Sequence, residues 1–366
     1  MTLANAASMT VQTLSGTAHA RGLMQAAGAD SDLRDQVAMA TVARVQSLRN
    51  EGRVTDAMLD YVAAQHRFHM AHDPAGMAEL AGIAQGFGLP EETLFVHLHL
   101  GTLRDLTNGA MLSGDGCSAF AAGDGPDGPF LAKNRDFGGA HLGVQRLFWH
   151  DGPDITTGGM LCLGSLGSPG AYSSGMNAAG LAIADTQIGA RHHGIGWLRY
   201  MAMTRLLAAC ATVPDALDWL RARPHAGGGS LILADASGAT AAVELGAATL
   251  AVTTGARNWR TNHFLSPQLA QDTLLHGGAT IDNNSAHRLG GLTHHLSAAA
   301  PTLAQAANLL ALHAHDPQGA PVCQHPDTAD DTSTLSSIIF AIASRRVYFH
   351  NANPCAGNWH WFALPE

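Results

Sequence analysis

The feature that most constrains this chain is a change of texture at Cys117. Before it, residues 32 to 116 carry helical spacing; after it, apolar runs are short and bounded by glycine turns. Leu33, Val37, Ala40, Val42, Ala43 and Leu48 recur at roughly helical intervals, Gly52 interrupts, and Thr55 to Met70 resumes with Met58, Tyr61 and Val62. Asp73-Pro74 opens a further helix, with Asp73 as N-cap and Pro74 at its first position, and Gly86-Phe87-Gly88 ends it. Strands are expected at Cys117 to Ala121, Phe130 to Arg135, Gln145 to His150, Met160 to Leu166, Ala171 to Ser174 and Leu181 to Thr186. Helices follow at Trp197 to Ala211 and Asp215 to Ala222, then strands at Ser230 to Ala234, Ala241 to Leu245, Leu250 to Thr254 and Asn258 to Thr261. Ser285 to Ala298 and Leu303 to His313 read as helix, and Leu335 to Ala343 with Arg346 to Asn351 as a closing hairpin. Strands grouped with strands and helices with helices predict an α+β fold of α, β, β and α layers with two antiparallel sheets.

Composition narrows the function. Apolar residues make up 46% of the 366 residues and charged ones 13%, enough for a large core, and no Ser/Pro-rich or charged stretch separates two halves. A net charge of −9 without a basic block argues against nucleic acid or an anionic membrane surface as partner. Met1 to Ala7 lacks a basic n-region and an apolar h-region, so no signal peptide is expected, and no stretch is apolar enough to predict a transmembrane helix. The five cysteines (Cys117, Cys162, Cys210, Cys323, Cys355) are scattered, odd in number and free of C-x-x-C pairs. That pattern suggests neither a disulfide framework nor a thiolate zinc site, and makes the cytoplasm the expected compartment.

The chemistry concentrates at Gly114-Asp115-Gly116-Cys117-Ser118-Ala119-Phe120 and Leu131-Ala132-Lys133-Asn134-Arg135-Asp136-Phe137. Glycines flanking Asp115 suit a tight bend, and the bend delivers a cysteine, the best intrinsic nucleophile among side chains, to the start of a strand. A Gly/Asp/Pro hairpin (Gly123 to Gly128) then returns a second strand alongside, which brings Lys133, Asn134 and Asp136 near Cys117. Lys133 is the only lysine in the chain. The plain alternatives are a buried apolar cysteine, a snorkelling surface lysine and an aspartate that serves a turn or a cap.

These two segments resemble the autoproteolytic acyltransferases of the isopenicillin N acyltransferase (acyl-coenzyme A:6-aminopenicillanic acid acyltransferase) type. These are N-terminal-nucleophile hydrolases related to the choloylglycine hydrolases, among them bile salt hydrolase and penicillin V acylase, and to acid ceramidase. The resemblance extends to Leu14-Ser15-Gly16-Thr17-Ala18-His19-Ala20-Arg21-Gly22 and to Glu79-Leu80-Ala81-Gly82-Ile83-Ala84-Gln85-Gly86-Phe87-Gly88-Leu89. It continues through Met176-Asn177 with Gly180-Leu181, then His325-Pro326-Asp327, Thr334-Leu335-Ser336-Ser337 and Asn353-Pro354-Cys355. It implies a four-layer αββα sandwich, with residues 1–116 as a mostly helical α-chain and 117–366 as the catalytic β-chain of one compact unit.

It further implies self-cleavage between Gly116 and Cys117, after which the freed α-amine of Cys117 is the catalytic base. Its ordinary pKa of about 7.7–8.0 suits that work without a histidine. Asp136 would orient that amine. Lys133 stands where the bile salt hydrolase branch has an arginine, keeping the charge and losing the planar fork. Asn262, within Arg260-Thr261-Asn262-His263-Phe264, would face the oxyanion; the alternative is a turn residue. Gln187 would supply a second donor, with Asp185 and Thr186 substituting on a one-residue slip. Arg288, within Asn284-Ser285-Ala286-His287-Arg288, would support Cys117 and Asp136 electrostatically, or else lie on a helix surface. No cofactor is implied; acyl-CoA is admissible as co-substrate, the substrate is a small N-acyl compound, and an oligomer is compatible.

Two other classes compete. His66, His69 and His72 at three-residue spacing and His97-Leu98-His99 suggest a His-ligated metal hydrolase, although alternation along a strand also puts His97 and His99 on one exposed face. No H-E-x-x-H or third dinucleotide-binding glycine after Gly194-Ile195-Gly196 is present. A non-catalytic scaffold on the same fold is the other alternative.

Overall fold

The computed structural model describes the backbone of residues 2–5 and residues 11–107, 116–138, 141–274, 283–316, 319–326 and 332–365. Gly114, Asp115 and Asp327 lie outside them. Two short strands, β1 (Thr2–Asn5) and β2 (Gln12–Ser15), precede α1 (Ala18–Gln25), α2 (Ser31–Ala40), α3 (Val42–Asn50), α4 (Asp56–His72), α5 (Pro74–Phe87), α6 (Glu91–Leu98) and α7 (Leu100–Leu106). The predicted cap is in place: Asp73 Oδ1 accepts from the Gly76 N–H at 3.0 Å, and Gly88 closes α5 at φ +70°, a value that favours glycine.

Strands then dominate: β3 (Ser118–Ala122), β4 (Phe130–Gly138), β5 (Gln145–Asp151), β6 (Met160–Ser165), β7 (Ser174–Asn177) and β8 (Ala182–Gln187). After α8 (Arg199–Ala209) and α9 (Val213–Arg221) come β9 (Gly229–Ala234), β10 (Thr240–Leu245), β11 (Leu250–Gly255) and β12 (Arg257–Arg260). The chain ends with α10 (Asn283–Leu296), α11 (Leu303–Leu310), β13 (Thr332–Ala341), β14 (Arg346–His350) and β15 (Asn358–Ala363).

The strands form two sheets, ordered β1-β15-β14-β13-β4-β3-β12 and β11-β10-β9-β8-β7-β6-β5-β2. Their inner faces meet through Ala119, Leu131, Ile338 and Phe349 from one and Leu147, Leu161, Ala184 and Ile232 from the other. On the outer faces, Leu292, Leu296, Ala306 and Leu310 of α10 and α11 cover the first sheet, and Met203, Leu207, Ala216 and Leu220 of α8 and α9 cover the second. The chain is therefore an αββα sandwich. The N-terminal helices form a further core with Val144, Phe148, Trp197 and Met201.

The sheets are not purely antiparallel. β1 runs parallel to β15, and β2 parallel to β5. A parallel pair needs a long connection, and both pairs join segments far apart in sequence. The strand expected at Ala171 to Ser174 lies later, at Ser174–Asn177. His97 and His99 are not on an exposed strand: His97 lies in α6, His99 caps it, and both are buried. Glu91 and Glu92, in the first turn after Pro90, are the helix-start signal that outweighs the local alternation.

The two N-terminal segments that carried the resemblance meet as a helix pair. A Cβ on Gly22 would lie 2.1 Å from the Glu79 carbonyl oxygen, and one on Gly82 would lie 2.1 Å from that of His19. Only hydrogen at these positions lets α1 and α5 approach so closely. Next to the contact, buried Arg21 forks onto Asp154 at 2.7 and 2.8 Å, and Glu79 Oε1 accepts from the Gly170 N–H at 2.9 Å. These segments serve packing.

Candidate active site

β3 and β4 pair as predicted, in the register Ser118↔Asn134 and Ala119↔Lys133. Alternation along β4 then divides its polar residues between two faces. Lys133 and Arg135 reach the second sheet: Lys133 Nζ donates to the Ser173 carbonyl at 3.1 Å and pairs with Asp185, and Arg135 donates to Ser165 Oγ at 2.7 Å. Asn134 points the other way, onto the carbonyls of Leu310 and Val322 at 2.8 and 2.9 Å. Asp136 accepts from Thr334 Oγ1 at 2.7 Å on one oxygen and from Gln324 Nε2 at 2.7 Å on the other.

Cys117 is buried between these two sets, with its thiol 3.9 Å from the Asp136 carbonyl oxygen. Burial pushes its pKa up; Lys133 pulls it down, and Asp185 and Asp136 push it up again. The thiolate-favouring charge expected of Lys133 is thus outweighed. Part of that charge is taken up by Asp185, which also accepts from Arg199 Nε at 2.6 Å. Burial pushes the Asp185 carboxyl up, but Lys133 and Arg199 overcome it and hold it below its ordinary value. Lys133 is 1% exposed, so it does not snorkel at the surface.

Asp136 is the opposite case. Burial raises its carboxyl to about 6 against the pull of Arg288 and of the Thr334 and Gln324 hydrogen bonds. Arg288, in α10, is buried too. It donates to the Cys117 carbonyl at 2.6 Å, to Ser118 Oγ at 3.0 Å and to Asn262 Oδ1 at 2.8 Å, while its Nε donates to Asn284 Oδ1 at 2.6 Å. Asn262 follows β12, and its Nδ2 donates to the Gln187 carbonyl at 2.7 Å. Arg288 therefore ties Asn262 to the Cys117 peptide.

Lys133, Asp136, Gln187 and Cys117 line one cavity together with Tyr172, Asp185, Arg199 and Tyr200. About 50 Å³ is free there, room for a few waters and not for an acyl chain. Neither Asn262 nor Arg288 lines this space; Arg288 donates to the Cys117 carbonyl, and Asn262 is bonded to Arg288. The five other residues singled out from sequence (Lys133, Asp136, Gln187, Asn262 and Arg288) thus gather around Cys117 or one partner removed from it.

Gln324 was not foreseen. Its Nε2 donates to the Gly116 carbonyl at 3.0 Å as well as to Asp136, and its Oε1 accepts from Asn284 Nδ2 at 3.2 Å. A Cβ on Gly116 would lie 2.2 Å from that Nε2, so glycine here admits the amide. Gln324 stands 208 residues from Gly116, and no spacing in the sequence signals the contact. Thr334 enters the sequence reading only as part of a closing strand, Asp185 only as a neighbour of Gln187, and Arg199 not at all.

The histidine alternative fares differently. His69 is buried, and burial with His99 and other histidines nearby lowers it to about 3; its Nε2 accepts from the Leu198 N–H at 3.4 Å. His97 is likewise lowered to about 3 by burial and Arg44. Among the described residues, the ligand-type side chains that converge are elsewhere, around His313.

The fold is an αββα sandwich in which Cys117 directly precedes β3 and Asp136 stands on the neighbouring β4. The family described as acyl-coenzyme A:6-aminopenicillanic acid acyl-transferase matches residues 124–356, more than half of the chain, and the chain belongs to that family. The matched span begins after Cys117. No curated protein matches significantly. Among solved structures, a mutant of conjugated bile acid hydrolase from Clostridium perfringens aligns at 11% identity and TM-score 0.43, covering 68% of this chain and 97% of that one. Penicillin V acylase from Agrobacterium tumefaciens aligns at 17% and 0.38, covering 68% and 86%. The Caenorhabditis elegans ortholog of N-acylethanolamine-hydrolyzing acid amidase aligns at 13% and 0.40, covering 68% and 100%.

Proposed function

We propose that this protein is a cysteine amidohydrolase or acyltransferase that matures by cutting itself between Gly116 and Cys117. The observation that carries this reading is the arrangement around that one peptide bond. Gln324 donates to the carbonyl oxygen on its N-terminal side, Arg288 donates to the carbonyl of Cys117, and the thiol lies 3.9 Å from the Asp136 carbonyl oxygen.

In maturation, Sγ bonds to the Gly116 carbonyl carbon and the thiol proton passes to the Cys117 nitrogen as the C–N bond breaks. Water then hydrolyses the Gly116–Sγ thioester, leaving a Gly116 carboxylate, a free thiol and a free α-amine. The Gln324 N–H lies within the range at which a fixed donor stabilises a developing oxyanion. Residues 1–116 and 117–366 stay together in this reading, supported by the β1–β15 and β2–β5 pairings and the common helical core.

In turnover, the α-amine takes the thiol proton and Sγ attacks the acyl carbon of a small N-acyl substrate, an amide or a β-lactam side chain. The amine leaves with that proton, and water or an acceptor amine resolves the thioester. Asp136, held by Thr334 and Gln324, orients the α-ammonium. The Gln187 amide, which lines the cavity, serves the substrate oxyanion, and Asn262 outside that space holds the Gln187 carbonyl through Nδ2. Acyl-CoA is admissible as acyl donor, since its thioester meets the same nucleophile.

The test is the intact mass and N-terminal sequence of the purified protein. Two pieces, the larger beginning at Cys117, are expected, with Cys117→Ala remaining one chain and inactive. A Cys117→Ala chain that still splits at that bond would sink the proposal.

A further inference from the structure

A second cluster lies beside the first. His313 follows α11, Cys323 and His325 sit on the described segment 319–326, and Cys355 sits on a 3-10 turn at Pro354–Ala356. One potential ligand atom from each lies within 4.8 Å of all the others. His325 Nε2 is 3.1 Å from His313 Nε2, 3.5 Å from Cys323 Sγ and 3.4 Å from Cys355 Sγ. A ring nitrogen donates one hydrogen bond or accepts one, so three such neighbours exceed what hydrogen bonding can satisfy. Tetrahedral zinc, with Zn–N of about 2.0–2.1 Å and Zn–S of about 2.3 Å, places its ligand atoms about 3.3–3.8 Å apart. The observed separations fall close to those edges.

The surroundings fit a metal centre as well. Asp316 Oδ2 accepts from the His313 backbone N–H at 2.7 Å and lies 3.7 Å from His313 Nδ1, behind the ring nitrogen that faces the cluster. Asn353 Nδ2 contacts Cys323 Sγ at 3.6 Å, a donor suited to a thiolate. Partners of both kinds orient metal ligands and tune their basicity. His313 also converges with His315 and Asp316, but that group holds no sulfur. His325 and Cys355 are exposed, which gives an ion a way in.

We propose that His313, Cys323, His325 and Cys355 bind one Zn²⁺ as a closed structural site. Two thiols lose their protons as two Zn–S bonds form, and two neutral imidazoles complete the tetrahedron. Four protein ligands leave no open position, so the ion does not perform the chemistry. It clamps the end of α11 and the turn before β15 to the segment that carries Gln324. That residue lies between two of the ligands and holds the Gly116 carbonyl and Asp136. This site shares no residue with the His66, His69 and His72 pattern.

The experiment uses the full chain as the Cys117→Ala variant, so that its outcome does not depend on self-cleavage. Zinc is measured by elemental analysis after dialysis against zinc-free buffer, and cobalt is then exchanged in. About one zinc per chain is expected, with thiolate-to-cobalt charge-transfer bands and tetrahedral visible bands. Cys355→Ser, at an exposed position, is expected to lose both the metal and the cobalt spectrum while remaining folded by circular dichroism. Chelation should lower the Tm of the parent and leave that of Cys355→Ser unchanged. A metal-free parent that takes up neither ion, an unchanged cobalt spectrum in Cys355→Ser, or a Cys323–Cys355 disulfide in the native protein would each overturn the site.

Discussion

The contact between Gln324 and the Gly116 carbonyl invites a direct perturbation, Gln324→Ala. The side chain makes three hydrogen bonds in the uncut chain: to the scissile carbonyl at 3.0 Å, to Asp136 at 2.7 Å and from Asn284 at 3.2 Å. Of these, the first acts on the oxygen whose charge grows as Sγ attacks. Losing one fixed donor at a developing oxyanion costs about 2.7–4 kcal/mol, or about 10²–10³ in rate. Loss of the bond to Asp136 pushes that carboxyl further up, since burial already raises it and Gln324 is among the groups holding it down. The assay is cell-free synthesis followed by a denaturing gel, which reads conversion of the full chain into two pieces against time. Gly116→Ala should slow cleavage comparably, because its methyl would meet the Gln324 amide at 2.2 Å. The double variant Gly116→Ala/Gln324→Ala should be no slower than Gln324→Ala alone, since both changes remove one interaction. If Gln324→Ala matures within about threefold of the parent rate, the donor does not act in cleavage and the reasoning is refuted.

Three further outcomes are expected. Asp136 loses its charge as pH falls through about 6, so below that point kcat/KM should fall by about a further tenfold per pH unit, beyond the fall set by the α-amine at about 7.7–8.0, and residual Asp136→Asn activity should lack this added limb. Because its folded value lies above 3.8, the same group favours the fold at acid pH and loses that contribution as pH rises from 3.8 through about 6. That loss is about 3 kcal/mol, so a denaturant titration should show Asp136→Asn weakening the fold less at pH 7 than at pH 4. Gly82→Ala should cost about 1–3 kcal/mol in urea unfolding by forcing α1 away from α5, and an unchanged midpoint would show that the helices separate freely.

Much of the fold was legible because its signals are local. Short apolar runs between glycine turns marked most strands to within a few residues, and Asp73-Pro74 and Gly88 marked α5 at both ends. β1, β2 and β15 were not read, since four to six residues at the chain ends carry too little periodicity. His97 and His99 were misread because Leu94 to Leu100 alternates like a strand while its start signals make it helix.

By itself the sequence determined the layered α+β architecture, the cysteine at the head of a strand and the hairpin that carries Lys133 and Asp136 back to it. Tertiary structure alone decided which face of β4 each residue uses. It paired Lys133 with Asp185 and placed Arg288 on the Cys117 carbonyl. It also delivered Gln324 to the bond before Cys117, and brought His313, Cys323, His325 and Cys355 together from three separate segments. The reason is physical: propensity and hydrophobic period act over a few residues. Contacts between groups from a dozen to two hundred residues apart exist only once sheets and helices have packed.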